Sequence, residues 1–385
     1  MRTLRDVPAL LADDAGRAYL AAHGMFTDLD SFVAALRPPA DDSLNALMAL
    51  PESTPLVHIG QQVCADYDRA VVSKFEVAGL LELSGITPAL LWHDCDRAGS
   101  ERYGMRLRLP NADGPRGVWL AHRSLGKQEP RFIEVDPEQL EQLLAYLGSW
   151  LRSRLASGHR AAARARLAAL IEAVRPVGGQ TLSAVNRAIA EHLLREALGL
   201  HLRSTSLSAM LDRGLLTPSV NAYLAQIDDV IRVFNEGVST LVADGIDPLV
   251  RPLDADHLPL FYSCATCGTR VRLVHERLER GHYAVAQCPC GVERRFHIGH
   301  RTISLGELEA TDRWSPDVSL PVHLNRLASG WVVGRSTALY GMVLNGVTER
   351  VLGHKPIPGF VPPGLEDPAD EGAPRPTILV GHLAE

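Results

Sequence analysis

Two short cysteine pairs stand close together in the chain, at Cys264–Cys267 and Cys288–Cys290. Two such pairs, joined by a segment long enough for a hairpin, have the spacing that four thiolates need around one tetrahedral Zn²⁺ ion. Buried or disulfide-bonded cysteines are the alternative, but disulfides require an oxidising compartment. The spacing therefore predicts a zinc ribbon, a closed site that builds structure and performs no chemistry itself. The four predicted ligands are Cys264, Cys267, Cys288 and Cys290.

Composition limits the class of protein. The 385 residues allow two or three domains, and the formal charge of −6 argues against a surface built for nucleic acid. The first residues lack a signal-peptide core, and no run reaches the ~18 apolar residues of a membrane span. We therefore expect a cytoplasmic, reducing location without a membrane partner, which suits thiolate ligands. Cys64 and Cys95 are expected to be free structural thiols, because neither has an identifiable activating base.

The first half of the chain predicts a βαβ unit. An apolar run at Thr54–Ile59 is typical of a buried parallel strand, and Gly60 follows it. Apolar residues then recur at helical spacing over Val63–Leu83, and a second strand is predicted over Ile86–Asp94. A right-handed crossover would place the first turn at the carboxyl edge of a parallel sheet, where ligands bind.

The remaining chain divides by pattern. Residues 137–243 are helix-periodic and predict a helical insertion, and the zinc segment follows it. A second strand–glycine–helix pattern occupies Gly330–Leu352. Pro362–Pro376 is predicted to be a linker before a last short strand at Thr377–Gly381. The predicted units are 1–136 (first half of the core), 137–243 (insertion), 244–300 (zinc ribbon segment) and 301–385 (second half of the core and tail).

The segment His58-Ile59-Gly60-Gln61 lies where the first turn of the βαβ unit is predicted. Class I aminoacyl-tRNA synthetases carry a histidine–hydrophobe–glycine–histidine motif at that turn, where ATP approaches the glycine backbone. The literal motif at His297–His300 has no strand–turn–helix context, so we do not assign it this role. The alternative for the first segment is a plain strand-ending turn.

A longer pattern carries a resemblance to a known family. Residues 58–96, HIGQQVCADYDRAVVSKFEVAGLLELSGITPALLWHDCD, resemble the start of the bacillithiol-synthesis cysteine ligase family, which is similar to class I synthetases. Residues 18–32, 245–262, 304–327 and 330–363 resemble further segments of that family in the same order. The histidine before Gly-Gln-Gln, the acidic cluster at 93–96 and the ribbon depart from its usual pattern. The chain is therefore predicted to be a shortened, divergent member.

The resemblance implies a class I synthetase-like Rossmann core and a ligase that uses ATP, with Mg²⁺, to join an amino acid such as cysteine to a small amine. Asp94 and Asp96 alternate on one side of the strand end and could hold an ammonium, although an N-cap or an ion pair with Arg97 is the alternative. By the same alternation, His93 is predicted to face away. The predicted catalytic residues are His58, Gln61, Lys74, Asp94 and Asp96. The predicted nucleotide-binding residues are Gly60, Gln62, Gly334, Arg335 and Ser336.

Several alternatives stay open. Lys74 could be an ordinary solvated helix lysine, and Gly334–Ser336 an ordinary loop. Lys355 is a candidate for a pyrophosphate-binding lysine. The arginines at 152, 154, 160, 164 and 166 could contact RNA in a tRNA-acting relative, although a solvated helix face is the simpler reading. A non-catalytic protein that uses the ribbon for interactions is the other alternative. The expected partners are small molecules, and the oligomeric state is not predicted.

Overall fold

The protein is described here by a computed structural model, which covers residues 4–100, 104–109, 116–154, 159–175, 179–317, 320, 326–362 and 377–384. It contains a parallel sheet of six strands with helices on both faces and a separate antiparallel sheet of five strands. The predicted α/β class is therefore confirmed. Among the described residues, no helix combines the length and the apolar character that a membrane span needs.

The elements are numbered here in chain order. The strands are β1 (Met25–Phe26), β2 (Leu56–Gln62), β3 (Thr87–His93), β4 (Arg106–Leu109), β5 (Arg116–Trp119), β6 (Arg203–Ser206), β7 (His257–Ser263), β8 (Arg270–Leu278), β9 (Gly281–Gln287), β10 (Glu293–Gly299), β11 (Trp314–Pro316), β12 (Gly330–Val332) and β13 (Gly359–Phe360). The helices are α1 (Val7–Leu11), α2 (Asp14–Ala22), α3 (Leu29–Ala35), α4 (Ser43–Leu47), α5 (Arg69–Leu83), α6 (Pro137–Arg154), α7 (Arg160–Val174), α8 (Leu182–Leu198), α9 (Leu207–Asp212), α10 (Thr217–Leu224), α11 (Ile227–Ala243), α12 (Arg335–Arg350) and α13 (Ile378–Ala384).

The strand order of the parallel sheet indicates where a ligand would bind. Its order is β1-β13-β12-β2-β3-β6, and every neighbouring pair is parallel. Numbered by their sequence, β6, β3, β2, β12 and β13 read 3-2-1-4-5, the order of a doubly wound sheet, with β1 added beyond β13. The connection after β2 leads to β3 on one side of the sheet, and the connection after β12 leads to β13 on the other side. The topological switch point therefore lies between the carboxyl ends of these two strands.

The predicted turn at His58–Gln61 is wrong, because these residues belong to strand β2. Pairing with β3 continues through Gly60↔Leu91, Gln61↔Trp92 and Gln62↔His93. Helix α5 begins only at Arg69, and the side chain of Asp68 caps it by accepting a hydrogen bond from the Val71 amide. The connection between strand and helix therefore lies at residues 63–68. The second predicted strand–glycine–helix unit appears as β12 and α12.

The predicted helical insertion holds a strand of the main sheet. Residues 203–206 form β6, which pairs with β3 and ends the sheet. The short polar sequence Arg-Ser-Thr-Ser carries no apolar strand pattern, so the sequence did not indicate this strand. Helices α6, α7 and α8 share a second core with the C-terminal helix α13. The helical region before β6 is therefore a lobe packed beside the sheet.

The predicted last strand at Thr377–Gly381 is also wrong, because Ile378–Ala384 form helix α13. Leu379 and Leu383 of this helix are fully buried in the core that it shares with α7 and α8. Its first turn is held by Asp66, whose carboxylate accepts a hydrogen bond of 3.0 Å from the Leu379 amide. The predicted linker at Pro362–Pro376 lies, after its first residue, outside the described residues.

The contact between Asp66 and α13 predicts a pH dependence of stability. Burial raises the pKa of Asp66 from 3.8 to about 7, so the native state binds a proton that the unfolded chain has lost. The contribution of Asp66 to the free energy of unfolding should therefore fall as pH rises from about 4 to about 7, by ~1 kcal/mol per pH unit, and then level off. Urea titrations at several pH values should show this slope in the difference between the wild type and Asp66→Asn, because the contributions of the other titrating groups cancel in that difference.

The matched control is Asp14→Asn, because the Asp14 side chain is 99% exposed. It should keep the wild-type slope. An Asp66→Asn protein with an unchanged slope would show that another group governs stability between pH 4 and 7.

The second sheet has the order β10-β9-β8-β7-β11, and all its neighbours are antiparallel. It extends the predicted zinc segment to Pro316, because β11 returns to pair with β7. The literal motif His297–His300 lies at the end of its edge strand β10, where the pairing is irregular. No helix follows it directly, which agrees with leaving it out of the nucleotide site.

Candidate functional site

The four predicted zinc ligands lie together at one end of the second sheet. Strands β7 and β9 both flank β8 and run in the same direction, so the cysteine pairs that follow them meet. All four sulfurs lie within 4.8 Å of one another. The Cys264–Cys290 sulfurs are 3.8 Å apart and the Cys267–Cys288 sulfurs 3.4 Å apart. Tetrahedral Zn–S bonds of about 2.3 Å require sulfurs about 3.8 Å apart, so the cluster fits Zn²⁺.

Local structure closes both cysteine pairs in tight turns and supports the thiolate form of Cys267. Gly268 and Gly291 adopt φ of 72° and 88°, which lets each pair close in a tight turn. The Gly268 amide donates to the Cys264 carbonyl, and the Gly291 amide to the Cys288 carbonyl. The Thr269 hydroxyl, 3.3 Å from the Cys267 sulfur, lowers the pKa of this thiol to about 6. Four protein ligands around one ion would leave no open position, which is the arrangement of structural zinc sites.

The two glycines singled out in the sequence, Gly60 in β2 and Gly334 after β12, both lie at the switch point of the parallel sheet. Val332 pairs with Ile59, which brings the chain after β12 beside the end of β2. Lys74 of helix α5 spans the two segments. Its Nζ donates to the Gly60 carbonyl over 2.7 Å and to Gln61 Oε1 over 3.1 Å. Its Cδ lies 4.0 Å from the position that a Cβ on Gly334 would take. These residues define the crevice discussed below.

Lys74 is 8% exposed, so it is not the solvated helix lysine that the sequence left open. Burial lowers its pKa to about 8, and the ammonium form still dominates at neutral pH. The described contacts of the buried Lys74 ammonium are with uncharged oxygens. Because no described contact neutralises its charge, it should strongly attract an anion that enters the crevice.

Helix α12 begins beside this cation. Gly334 is its N-cap residue and offers no side chain to the first-turn amides, and Ser336 in that turn is exposed. The backbone of Arg335 starts the helix, while its side chain is outside the described part. A 16-residue helix with an uncapped N-terminus presents free N–H groups and the positive end of its dipole. The combination with Lys74 suits phosphate groups.

Two histidines lie beside Gly60, and a tryptophan stacks on one of them. The His58 ring stacks on Trp331 with 6.2 Å between centroids, and His93 Nε2 lies 3.0 Å from the position of a Cβ on Gly60. Burial lowers the pKa of His58 to about 3 and that of His93 to about 4, so both rings are neutral. Both ring nitrogens of His58, His93 Nε2 and Trp331 Nε1 are buried without a hydrogen-bond partner. Such orphaned polar atoms indicate a missing ligand or water.

His93 was predicted to face away from the site, and the structure places it in the crevice. The alternation behind this prediction ran through Asp94 and Asp96, but β3 ends at His93. Residues beyond the end of a strand need not alternate between the two faces of the sheet. The in-register pairing Gln62↔His93 puts His93 on the same face of the sheet as His58 and Gly60. The alternation of side chains along β3 itself is the signal that could have placed His93 in the crevice.

Asp94 does not have the role predicted for it. Its carboxylate is 1% exposed and accepts hydrogen bonds from the Ser183 hydroxyl and the Ser208 amide, each over 3.0 Å. The Ser208 hydroxyl also donates to it. These bonds tie the end of β3 to α8 and to the first turn of α9. The carboxylate oxygens of Asp94 accept hydrogen bonds from within the protein, so they are not available to a substrate ammonium.

Asp96 and Gln62 connect the crevice to the second sheet. Gln62 Nε2 donates to Asp96 over 2.6 Å, so this side chain is engaged within the protein and does not extend to a phosphate. Arg270 of β8 forms an ion pair with Asp96 over 3.0 Å. The predicted ion pair with Arg97 is instead a hydrogen bond from the Arg97 amide. Asp96 keeps a side chain that is 34% exposed.

A buried charge cluster supports this connection. Glu129 is completely buried and lies 2.6 Å from Arg131 and 3.4 Å from Arg270. Ser315 of β11 donates to the same carboxylate over 2.7 Å. The two guanidinium groups offset the cost of burying the carboxylate. Because Arg270 lies in the strand that follows the first cysteine pair, the metal cluster and the crevice share a rigid link. No motif or periodicity in the sequence indicated this long-range pairing.

The remaining predicted features lie elsewhere. Cys64 and Cys95 are buried thiols that form no disulfide, and burial raises the pKa of Cys95, which opposes a nucleophilic role. Lys355 precedes β13 and therefore lies at the amino edge of the sheet, opposite the crevice. Arg152, Arg160 and Arg164 line a groove of about 180 Å³ between α6 and α7. Arg166 instead donates to the His382 carbonyl of α13.

Comparison with known proteins gives no assignment. No protein-family model matches the chain, and no curated protein matches it. The resemblance to the cysteine ligase family therefore stays a prediction.

Proposed function

We propose that the crevice binds the phosphates of ATP and that the protein is an ATP-dependent ligase with a class I synthetase-like core. Its substrate would be an amino acid, with cysteine implied by the sequence resemblance, and its acceptor a small amine. One observation carries the proposal: the buried Lys74 side chain lies between Gly60, to which its ammonium donates, and Gly334, which its alkyl chain approaches, at the switch point. Parallel sheets of this order bind nucleotides at that position.

The proposed reaction has two steps. A carboxylate oxygen of the amino acid attacks the α-phosphorus of ATP, and the bond to pyrophosphate breaks. The acceptor nitrogen then attacks the carbonyl carbon of the adenylate, AMP leaves, and the nitrogen gives its proton to solvent. Positioning and charge stabilisation would supply most of the rate, since the adenylate is already reactive.

The residues of the crevice suit the charge that develops in the first step. The Lys74 ammonium and the free amides of α12 would stabilise the phosphate oxygens. The neutral rings of His58 and His93 would act as hydrogen-bond donors without adding charge. Asp96, of the two predicted carboxylates, retains an exposed edge for a substrate ammonium. Mg²⁺ would accompany ATP as part of the substrate.

The zinc cluster has a supporting role in this proposal. The cysteines would hold one Zn²⁺, which fixes β7, β8 and β9 relative to one another. Arg270 of β8 then holds Asp96 at the rim of the crevice. The ion would organise the site without contacting the substrates.

An exchange assay tests the proposal. Zinc-loaded protein is incubated with ATP, labelled pyrophosphate and each of the twenty amino acids, with and without tRNA. We expect label to enter ATP with one or a few amino acids and without RNA. Exchange only with tRNA would replace the proposal by a tRNA-acting enzyme, which the arginine groove between α6 and α7 would then serve. No exchange under either condition would contradict both.

A further inference from the structure

A second cavity, of about 500 Å³, lies between the antiparallel sheet and helices α10–α12. Its walls include Tyr223, Phe234, His257, Arg272, Asp317 and Tyr340. It contains none of the crevice residues described above. Its volume is within the range of pockets that hold small molecules.

The polar wall of the cavity is organised around Arg272. Its guanidinium lies 3.5 Å from the Asp317 carboxylate and 3.3 Å from His257 Nδ1, and it sits 5.5 Å from the Phe261 ring centre. These three contacts fix the plane of the guanidinium. The group has five N–H donors, and those not turned to Asp317 and His257 remain for a ligand. The Arg272 side chain is 52% exposed, so these donors are accessible.

Two further donors belong to the same wall. Arginine only donates, so His257 Nδ1 accepts and its ring proton sits on Nε2. His257 is buried, and burial lowers its pKa, which keeps the ring neutral. The Tyr340 hydroxyl also lies in the cavity lining, where it contacts the Thr337 side chain, and a hydroxyl can both donate and accept a hydrogen bond. Burial raises the pKa of Tyr340, so the hydroxyl stays protonated.

Apolar side chains form much of the remaining lining: Phe234, Val250 and Leu253, together with the buried ring of Tyr223. Arg251 and Asp254 also line the cavity, so two guanidinium groups are balanced by two carboxylates, those of Asp254 and Asp317. A lining without net formal charge matches a singly charged anion better than a doubly charged phosphate. We propose that this cavity binds a small monocarboxylate with an apolar body, its carboxylate against Arg272, His257 and Tyr340. The proposal does not depend on the function proposed for the crevice.

Calorimetric titration of the zinc-loaded full chain tests this site. The probes are 3-phenylpropanoate, hexanoate and benzoate, with 3-phenylpropanamide and inorganic phosphate for comparison. We expect saturable one-site binding of at least one acid, and binding of the matched amide weaker by about tenfold or more. No saturable binding of any acid, equal binding of acid and amide, or tighter binding of phosphate would overturn the proposal.

Variants locate the binding. Arg272→Gln should weaken binding of the acid by about tenfold or more, because it removes the charge-assisted hydrogen bonds. Arg277→Gln, on the exposed part of the same strand and outside the cavity, should bind as the wild type does. Tyr340→Phe keeps the packing of the ring and should weaken binding about threefold to tenfold, because it removes one hydrogen bond to the acid. This variant still tests the site if Arg272→Gln destabilises the fold. Wild-type affinity in both Arg272→Gln and Tyr340→Phe would overturn the assignment.

Discussion

Replacing Cys264 with serine is expected to unfold the antiparallel sheet around the metal cluster. The four sulfurs are arranged for one ion, and structural zinc sites in small domains supply on the order of 10 kcal/mol of apparent binding energy. Losing one thiolate should remove most of that stabilisation. Metal analysis should give about one zinc per wild-type chain and far less in the variant. Circular dichroism melts should show a lost or strongly lowered transition.

Cys64→Ser is the matched control, since Cys64 lies outside the cluster in the parallel-sheet core. It should keep its zinc. A chelator applied to the wild type should reproduce the effect of Cys264→Ser and also lower exchange activity, because Arg270 would no longer hold Asp96. A Cys264→Ser protein that binds zinc as tightly as the wild type would contradict the four-thiolate site.

Replacing Lys74 with methionine is expected to lower pyrophosphate exchange by about 100-fold or more, since a positioned charge is lost from the crevice. The fold should persist, because methionine fills a similar volume and the cost of burying an ammonium disappears. The exchange rate at each pH measures the effect. Because burial lowers the pKa of Lys74 to about 8, wild-type activity should decline as pH rises above 8.

Lys355→Met, at the opposite edge of the sheet, is the control and should leave exchange unchanged. Exchange by Lys74→Met within twofold of the wild type would mean that the bridging lysine has no part in the reaction. The same loss in both variants would point to a general effect of removing a lysine.

Local patterns in the sequence predicted the parts that depend on neighbours along the chain. The cysteine spacing located the metal ligands, and apolar runs with glycine stops located β2, β3 and the start of α12. Strand β6 escaped notice because its residues are polar and its stability comes from pairing with β3. Helix α13 was mistaken for a strand because a five-residue apolar run fits either structure.

The side chains of the site were harder to predict, because their roles depend on distant partners. Asp94 has an acidic side chain at the expected edge, yet Ser183 and Ser208 from later helices engage it. Gln62 donates to Asp96, and Asp96 is in turn paired with Arg270 of a strand 174 residues further along the chain. Lys74 could be related to Gly60 from the sequence because only a short connection and the start of α5 separate the two residues. Hydrogen-bond partners at such separation leave no periodic trace in the sequence.

The backbones at Gly60, in β2, and at Gly334, before α12, are proposed to hold one nucleotide between them. Hydrogen exchange followed by mass spectrometry, with and without ATP, tests it most directly. We expect ATP to slow amide exchange in peptides that contain residues 60–68 and in those that contain residues 334–338, with the same dependence on ATP concentration. ATP that binds while slowing exchange at only one of these segments, or at neither, would contradict the claim.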